Sequence, residues 1–174
     1  MKKILYVLAV TIFISACDGN SFLEKIGLKE RITTAIQERN GIVYLPNENE
    51  PFTGKYERYY SDGQKKQQES YKDGKLNGLK TNWNVNGQKE SEINHKDGNE
   101  TGLATWWYDN GQKQAESTND KNGRLIGLAT TWYENGQKES EATYKDSYKN
   151  GLAIHWYENG QKMSETTYKD GKEN

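Results

Sequence analysis

Short stretches in which apolar and polar residues alternate fill most of the chain, and each stretch ends at a turn signal that contains glycine. Residues 151–174 show the pattern clearly: Gly-Leu-Ala-Ile-His-Trp-Tyr, then Glu-Asn-Gly-Gln-Lys, then Met-Ser-Glu-Thr-Thr-Tyr-Lys-Asp-Gly-Lys. Alternation with a period of two is typical of a β-strand, and Asn-Gly between two such stretches is a strong signal for a hairpin. The pattern therefore predicts two strands joined by a tight turn, and it leaves no stretch for a helix.

The same pattern occurs five times along the chain. The tripeptide Gly-Gln-Lys begins at Gly63, Gly87, Gly111, Gly136 and Gly160, at spacings of 24 or 25 residues, which defines the units 54–77, 78–101, 102–126, 127–150 and 151–174. A single hairpin cannot bury its apolar side chains, so tandem hairpins gain stability by stacking on their neighbours. We expect an all-β fold, an elongated single-layer antiparallel β-meander of tandem hairpin repeats.

Two kinds of turn separate the predicted strands. Within each unit the turn contains Asn-Gly or Asp-Gly, and both residues tolerate the positive φ of a two-residue type I′ turn. Between units, the sequence Asp-Gly predicts a second turn, at Asp73-Gly74, Asp97-Gly98 and Asp170-Gly171. The fourth unit has Ser147 in place of that glycine, so we expect its turn to differ.

A two-residue turn fixes the pairing of the two strands in each unit. In the fifth unit it places Trp156 opposite Met163 and Tyr157 opposite Lys162. Because successive side chains point to opposite faces, one face then carries a Leu-Trp ladder, Leu79/Trp83, Leu103/Trp107, Leu128/Trp132 and Leu152/Trp156. The opposite face carries a Tyr-Lys ladder, Tyr60/Lys65, Tyr108/Lys113, Tyr133/Lys138 and Tyr157/Lys162.

Residues 32–53 precede the repeats and have a weaker pattern. Helical spacing is found at Leu28, Ile32, Ala35 and Ile36, whereas Ile32-Thr33-Thr34 and the Asn40-Gly41 turn favour strands. We interpret this region as a degenerate N-terminal cap hairpin, Ile32–Arg39 with Ile42–Leu45. A terminal cap is what a repeat array requires.

The first residues of the chain predict an export signal. Two lysines precede an apolar run from Ile4 to Ile14, which as a helix would be about 16 Å long, half of the thickness of a membrane core. The run ends in Ile14-Ser15-Ala16-Cys17, and Cys17 is the only cysteine of the chain. This ending resembles the bacterial lipobox; an ordinary signal peptide with an incidental cysteine is the alternative. The resemblance implies a lipoprotein signal peptide (1–16), then a lipidated N-terminus at Cys17 and a tether (17–31).

The repeat itself resembles a known family. The sequence Gly-Leu-x-x-x-Trp-Tyr-x-Asn-Gly-Gln-Lys, followed by Tyr-Lys-Asp-Gly-Lys, is similar to the bacterial MORN-variant repeat. The stretch from Asn40 to Lys55 resembles the start of proteins called YwqK-type antitoxin components. The resemblance covers about residues 32–174. It implies a MORN-like sheet that contacts proteins or lipids, and it names a toxin as one conceivable partner.

Composition and candidate chemistry argue against several functions. The formal net charge is −1, and without a basic stripe we expect no nucleic-acid partner. His95 and His155 fall in different columns of the repeat. The glutamates of one column, two strands apart, lie about 9–10 Å from each other, too far to share a cation, so we expect them to pair with lysines (Glu92, Glu116, Glu141 and Glu165). We predict no catalytic residues, no metal and no cofactor.

These features lead to one preferred function and two alternatives. We expect a non-enzymatic lipoprotein, anchored to a membrane of the bacterial cell envelope by acyl chains on Cys17 and exposed outside the cytoplasm, that binds a protein or lipid through its repeat sheet. The alternatives are an immunity or antitoxin protein that neutralises a toxin, and an envelope hydrolase, which no motif supports. Aromatic residues are favoured anchors at interfaces, so the candidate partner-binding residues are Trp83, Trp107, Trp132, Trp156, Tyr108, Tyr133 and Tyr157.

Overall fold

The computed structural model describes residues 32–174, so the predicted signal peptide (1–16), Cys17 and the tether (17–31) lie outside the described residues. The described part of the chain consists of strands and turns, and it contains no helix that could cross a membrane. The strands are β1 (Ile32–Thr33), β2 (Gln37–Arg39), β3 (Ile42–Tyr44), β4 (Gly54–Tyr59), β5 (Lys65–Lys72), β6 (Lys75–Leu76), β7 (Gly78–Trp83), β8 (Lys89–Lys96), β9 (Asn99–Trp107), β10 (Lys113–Asn119), β11 (Leu125–Trp132), β12 (Lys138–Lys145), β13 (Tyr148–Trp156), β14 (Lys162–Lys169) and β15 (Lys172–Glu173).

One sheet of 13 strands contains all five hairpins, and its strand order follows the chain order from β4 to β15, except that β6 lies off this path and pairs with β5. Each repeat contributes one antiparallel hairpin: β4 with β5, β7 with β8, β9 with β10, β11 with β12, and β13 with β14. The prediction of an all-β meander of tandem hairpins is confirmed. One pair departs from it, because β1 runs parallel to β4, with Ile32 opposite Lys55 and Thr33 opposite Tyr56.

The turn within each hairpin is not the predicted type I′ turn. In the fifth repeat the Gly160 N–H donates to the Tyr157 carbonyl at 2.8 Å, and the Tyr157 N–H donates to the Gln161 carbonyl at 2.8 Å. Gly160 has a φ of 81°, whereas Asn159 is not among the residues with positive φ. This is a three-residue loop, a type I turn followed by a glycine in the left-handed region. The loop therefore contains one residue more than predicted.

The longer loop shifts the pairing of the lysine that follows it. Trp156 lies opposite Lys162, not Met163, and a bulge at Met163 restores the predicted pairs of His155 with Ser164 and of Ile154 with Glu165. A bulge re-aims the side chains around it, so the lysine joins the Trp face. The predicted Tyr-Lys ladder is therefore wrong at all four pairs, Tyr60/Lys65, Tyr108/Lys113, Tyr133/Lys138 and Tyr157/Lys162; the observed partners are Tyr59/Lys65, Trp107/Lys113, Trp132/Lys138 and Trp156/Lys162.

The turns at Asp73-Gly74, Asp97-Gly98, Asp146-Ser147 and Asp170-Gly171 are type I′ turns, with positive φ at both central residues. Between repeats 3 and 4 the turn is instead a three-residue loop, in which the Gly123 N–H donates to the Asp120 carbonyl at 3.1 Å and the Asp120 N–H donates to the Arg124 carbonyl at 2.8 Å. Asp73 and Gly74 have φ values of 49° and 75°. Asp146 and Ser147 have φ values of 48° and 70°, so the expectation of a different turn at Ser147 is wrong. The serine is held in this conformation because its N–H donates to the Leu125 carbonyl at 2.9 Å and its Oγ accepts the Leu125 N–H at 3.1 Å.

The only cluster of buried apolar side chains among residues 32–174 lies in the N-terminal cap, where Val43, Leu45 and Phe52 pack together. Strands β2 and β3 form a hairpin there. The predicted cap hairpin is too long at its start, because Ile32–Thr33 belongs to the main sheet. Thr33 separates the two segments, since its Oγ1 accepts the N–H of Ala35 at 3.1 Å and bends the chain.

Candidate functional site

The tryptophan of each repeat lies under the lysine of the preceding repeat. The lysine Nζ is 5.6 to 5.7 Å from the ring centroid at each of the four junctions, within the range of a cation–π contact. All four tryptophans are only partly exposed. The predicted binding anchors Trp83, Trp107, Trp132 and Trp156 therefore contact their own sheet, through the pairs Lys65/Trp83, Lys89/Trp107, Lys113/Trp132 and Lys138/Trp156.

The same lysines form ion pairs with the glutamate column. Lys89 Nζ lies 2.7 Å from a carboxylate oxygen of Glu92, and the later repeats form equivalent pairs, Lys113/Glu116, Lys138/Glu141 and Lys162/Glu165. The expectation that these glutamates pair with lysines is confirmed. No group of three or more potential metal ligands occurs among residues 32–174. Exposed pairs of this kind contribute about 0–1 kcal/mol each, so the row mainly orders the face of the sheet.

In repeats 1, 3 and 4, the tyrosine at the end of the first strand bridges to the next repeat. The Tyr108 hydroxyl donates to the Trp132 carbonyl at 2.7 Å, and the Tyr133 hydroxyl donates to the Trp156 carbonyl at 2.8 Å. The Tyr60 hydroxyl makes the same bond to Trp83. Tyr157 belongs to the last repeat, and its side chain is 49% exposed. Two of the three predicted tyrosine anchors, Tyr108 and Tyr133, thus hold neighbouring repeats together.

The Gly-Gln part of the motif also joins neighbouring repeats. A Cβ at Gly160 would lie 2.2 Å from the Oε1 of Gln137, and one at Gly136 would lie 2.1 Å from the Oε1 of Gln112. The glutamine of one repeat therefore occupies the space that a side chain would need in the turn of the next. At the internal junctions, the glycine, the glutamine and the lysine of the motif each lie against the neighbouring repeat.

We predict that Tyr133→Phe lowers the free energy of unfolding by about 1 kcal/mol, because it deletes a hydrogen bond between repeats. The matched control is Tyr157→Phe, because the Tyr157 hydroxyl bridges to no other repeat within residues 32–174, and its effect is expected within about 0.5 kcal/mol. Urea unfolding of both variants measures the difference. Equal values for the two would show that the tyrosine bridge contributes nothing to the stacking.

Three leucines on the same face as the tryptophans remain open to solvent. Leu103, Leu128 and Leu152 are 49%, 53% and 42% exposed. They occupy the same position in successive repeats, on β9, β11 and β13, and they lie opposite Thr118, Thr143 and Thr167. We call these three leucines the leucine stripe. The predicted Leu-Trp face thus divides into tryptophans engaged in stacking and leucines that no other strand covers.

Two carboxylates in the first repeat are buried and fully engaged. Glu69 accepts hydrogen bonds from Tyr71 at 2.8 Å and from Gln67 at 3.1 Å, and it lies 2.9 Å from Lys80. Burial opposes the ionisation of Glu57, but hydrogen bonds from Lys65 and Tyr59 outweigh burial, so the pKa of Glu57 falls below its usual value. The same bond to Glu57 raises the pKa of Tyr59 to about 12. These partners give both carboxylates a structural role in repeat 1.

The two histidines do not lie together. His95 is buried, and its Nδ1 lies 3.2 Å from the carbonyl oxygen of Ile93 two residues away. His155 is on the exposed part of β13, opposite Ser140 and Ser164. Each histidine therefore has a local environment of its own.

Comparison with protein families agrees with this geometry. The model of the MORN repeat variant matches residues 52–73, 100–118, 125–146 and 149–170. These segments correspond to repeats 1, 3, 4 and 5, whereas repeat 2, which has Asn84 in place of the bridging tyrosine, is not matched. No curated protein matches the chain significantly. The four matches fall on hairpins of one continuous sheet, and the chain therefore contains MORN-type repeats.

Proposed function

We propose that this protein is a non-enzymatic lipoprotein, anchored to a membrane of the bacterial cell envelope, that binds a protein partner through the leucine stripe. The exposure of Leu103, Leu128 and Leu152 carries the proposal. A contiguous apolar surface that is left open commonly marks an interaction site. MORN repeats often mediate protein or lipid binding, which agrees with a binding role.

The spacing of the leucine stripe favours an amphipathic helix as the element of the partner that docks. Equivalent positions two strands apart are about 9.6 Å from each other. Two turns of an α-helix rise about 10.8 Å, so a helix that lies across the strands can place an apolar side chain near each leucine. The threonines between the leucines supply methyl groups that continue the apolar surface.

The row of lysine–glutamate pairs beside the leucine stripe defines the edge of the proposed interface. A polar rim around an apolar centre is the usual anatomy of a protein interface. The proposed anchor is independent of this surface, because it depends on lipidation of Cys17. An anchor restricts the protein to partners at the same membrane and raises their effective concentration.

The test is crosslinking in native membranes, with a variant in which Leu103, Leu128 and Leu152 are all replaced by serine. We expect the wild-type protein to capture one stoichiometric protein, and the triple variant to capture it at least about tenfold less, since each leucine contributes on the order of 1 kcal/mol. Val85→Ser is the matched control, because Val85 is 58% exposed but lies in a turn outside the stripe. Equal capture by the triple variant would refute the proposed surface.

Two further observations in the same experiment separate the parts of the proposal. Cys17→Ser should move the protein out of the membrane fraction, and retention there would contradict the lipid anchor. If the stripe variant lost a lipid crosslink but no protein crosslink, the ligand would be the membrane surface. A toxin as the captured protein would make the chain an immunity protein.

A further inference from the structure

Repeats 3 and 4 present the same groups to the repeat that follows each of them. At the junction of repeats 4 and 5, Tyr133 donates to the Trp156 carbonyl, Asn135 Nδ2 donates to the Glu158 carbonyl at 2.9 Å, and Lys138 lies over the Trp156 ring. Gln137 fills the space above Gly160. The junction of repeats 3 and 4 repeats this set, with Tyr108, Asn110, Gln112 and Lys113.

The corresponding groups of repeat 5 have no following repeat within residues 32–174. Tyr157 is 49% exposed, and the Lys162 side chain is 52% exposed and pairs with Glu165 on its own strand. Strand β15 covers only one end of β14, at Tyr168 and Lys169. Along Lys162–Thr166 the outer edge of β14 lies beside no other strand of the described chain.

We infer that this end of the array, formed by Tyr157, Asn159, Gln161, Lys162 and the free edge of β14, binds an extended segment of another protein by strand addition. Strand addition to a sheet edge draws affinity from main-chain hydrogen bonds and specificity from side-chain pockets. The internal junctions define the chemistry of the segment. It carries an aromatic residue whose ring lies under Lys162 and whose carbonyl accepts the Tyr157 hydroxyl.

The segment also carries a glycine four residues after the aromatic residue. Trp156 and Gly160 have this spacing, as do Trp132 and Gly136. Glycine is required there because Gly136 and Gly160 both have a φ of 81°, a backbone conformation that other residues rarely adopt. The segment therefore resembles the first strand and turn of a MORN-type repeat.

A second copy of the chain fits this end poorly. Its first repeat would place Glu57 opposite Glu165, where the internal junction pairs Ile154 with Glu141, and like charges on opposite strands are unfavourable. Strand β1 already lies along β4, opposite Lys55 and Tyr56. If two copies met through their C-terminal ends, Lys162 of one copy would face the C-terminal end of the other. That end supplies no aromatic ring at the position that the tryptophan occupies in an internal junction. These contacts favour a different protein as the occupant.

The test is titration of the full chain in detergent with a synthetic hairpin that has the sequence of residues 127–150, followed by fluorescence anisotropy. We expect saturable binding in the micromolar range, and at least about tenfold weaker binding for the hairpin with Trp132→Ala. In the protein, Tyr157→Phe combined with Lys162→Ala should weaken binding to a similar degree. Lys169→Ala is the matched control, because this lysine of β14 lies opposite β15, and it should leave binding unchanged.

Several outcomes would overturn the inference. No saturable binding up to about 1 mM, which corresponds to only about 4 kcal/mol, would exclude the site for this class of segment. Equal binding by the double variant would place the hairpin elsewhere on the protein. Sedimentation that shows a dimer of the free chain, lost in the double variant, would make a second copy the occupant. Thermal unfolding of each variant, by circular dichroism, confirms that the sheet is intact, and the proposed function on the leucine stripe is unaffected by any of these results.

Discussion

Phe52→Ala is expected to lower the free energy of unfolding by about 3–5 kcal/mol, the range for removal of a fully buried aromatic side chain. Phe52 is 1% exposed and is the only large side chain among residues 32–174 that is buried to this degree. It packs on Val43 and Leu45, and its ring centroid lies 6.0 Å from that of Tyr71. Urea unfolding followed by far-ultraviolet circular dichroism measures the loss.

The repeat architecture determines how this loss should appear. In a stacked array each repeat contacts only its neighbours, so the end that loses its cap can unfold before the rest. The tryptophans lie in repeats 2 to 5, and their fluorescence therefore reports on the part of the sheet beyond the cap. We expect the circular dichroism transition of Phe52→Ala to begin at lower urea than the fluorescence transition. Hydrogen exchange should locate the early loss of protection in residues 42–74.

Phe52→Leu is the matched control, because it keeps the site apolar and removes less volume. Its cost is expected to be about 1–2 kcal/mol, since hydrophobic substitutions that nearly conserve volume are tolerated best. An alanine variant as stable as the wild type would mean that the cap core contributes nothing to the array, and that stacking of the hairpins alone stabilises the first repeat.

The repeats and the fold class could be predicted because both depend on local, periodic signals. Alternation with a period of two and a turn signal at a fixed spacing define a hairpin whatever surrounds it. The turn geometry could not be predicted in the same way, since Asn-Gly and Asp-Gly fit both a type I′ turn and a three-residue loop. Asp73-Gly74 adopts the first and Asn159-Gly160 the second. The difference of one residue moves the lysine of each repeat to the other face.

The roles of the aromatic residues depend on contacts that a single unit does not contain. Tyr133 contacts Trp156, 23 residues away. A partner at this distance lies in another repeat, so the pattern of a single hairpin does not indicate it. The signal was present in the sequence, because a constant spacing of 24 or 25 residues places equivalent positions on neighbouring hairpins. The pairing of lysine with tryptophan could not be predicted, because it depends on a bulge that simple alternation does not include. Alternation places the leucines and the tryptophans on the same face of the sheet. The leucines differ from the tryptophans only in their solvent exposure, which the sequence pattern does not reveal.

The cap shows a different limit of sequence analysis. The Asn40-Gly41 turn predicts the hairpin of the cap. The sequence does not predict the parallel strand β1, which has only two residues, Ile32 and Thr33. A strand this short carries no periodicity, and its partner β4 is fixed by the way that the cap folds back on the first repeat. Tertiary packing decides such a pairing, as it commonly does for short strands.

Gly74→Ala is expected to destabilise the protein by about 2–4 kcal/mol, because two costs combine at this position. Gly74 has a φ of 75°, and an L-residue in the left-handed region costs about 1–2 kcal/mol. A Cβ at Gly74 would also lie 2.4 Å from Ile42 Cγ2 and 2.8 Å from the carbonyl oxygen of Val43. Overpacking of this kind typically costs about 1–3 kcal/mol, and urea unfolding measures the total.

Gly41→Ala isolates the first of these costs, the conformational one. Gly41 also ends a turn with a φ of 75°, but a Cβ there would meet nothing within 4 Å. Its substitution should therefore cost only the conformational part, about 1 kcal/mol. The difference in unfolding free energy between the two variants measures how tightly the cap docks on the turn after repeat 1. At this contact the Val43 N–H donates to the Gly74 carbonyl at 2.9 Å, and the Gly74 N–H donates to the Phe52 carbonyl at 2.8 Å. If both variants lost the same stability, the cap could move away from this turn at no cost, and the docking would not be a rigid part of the fold.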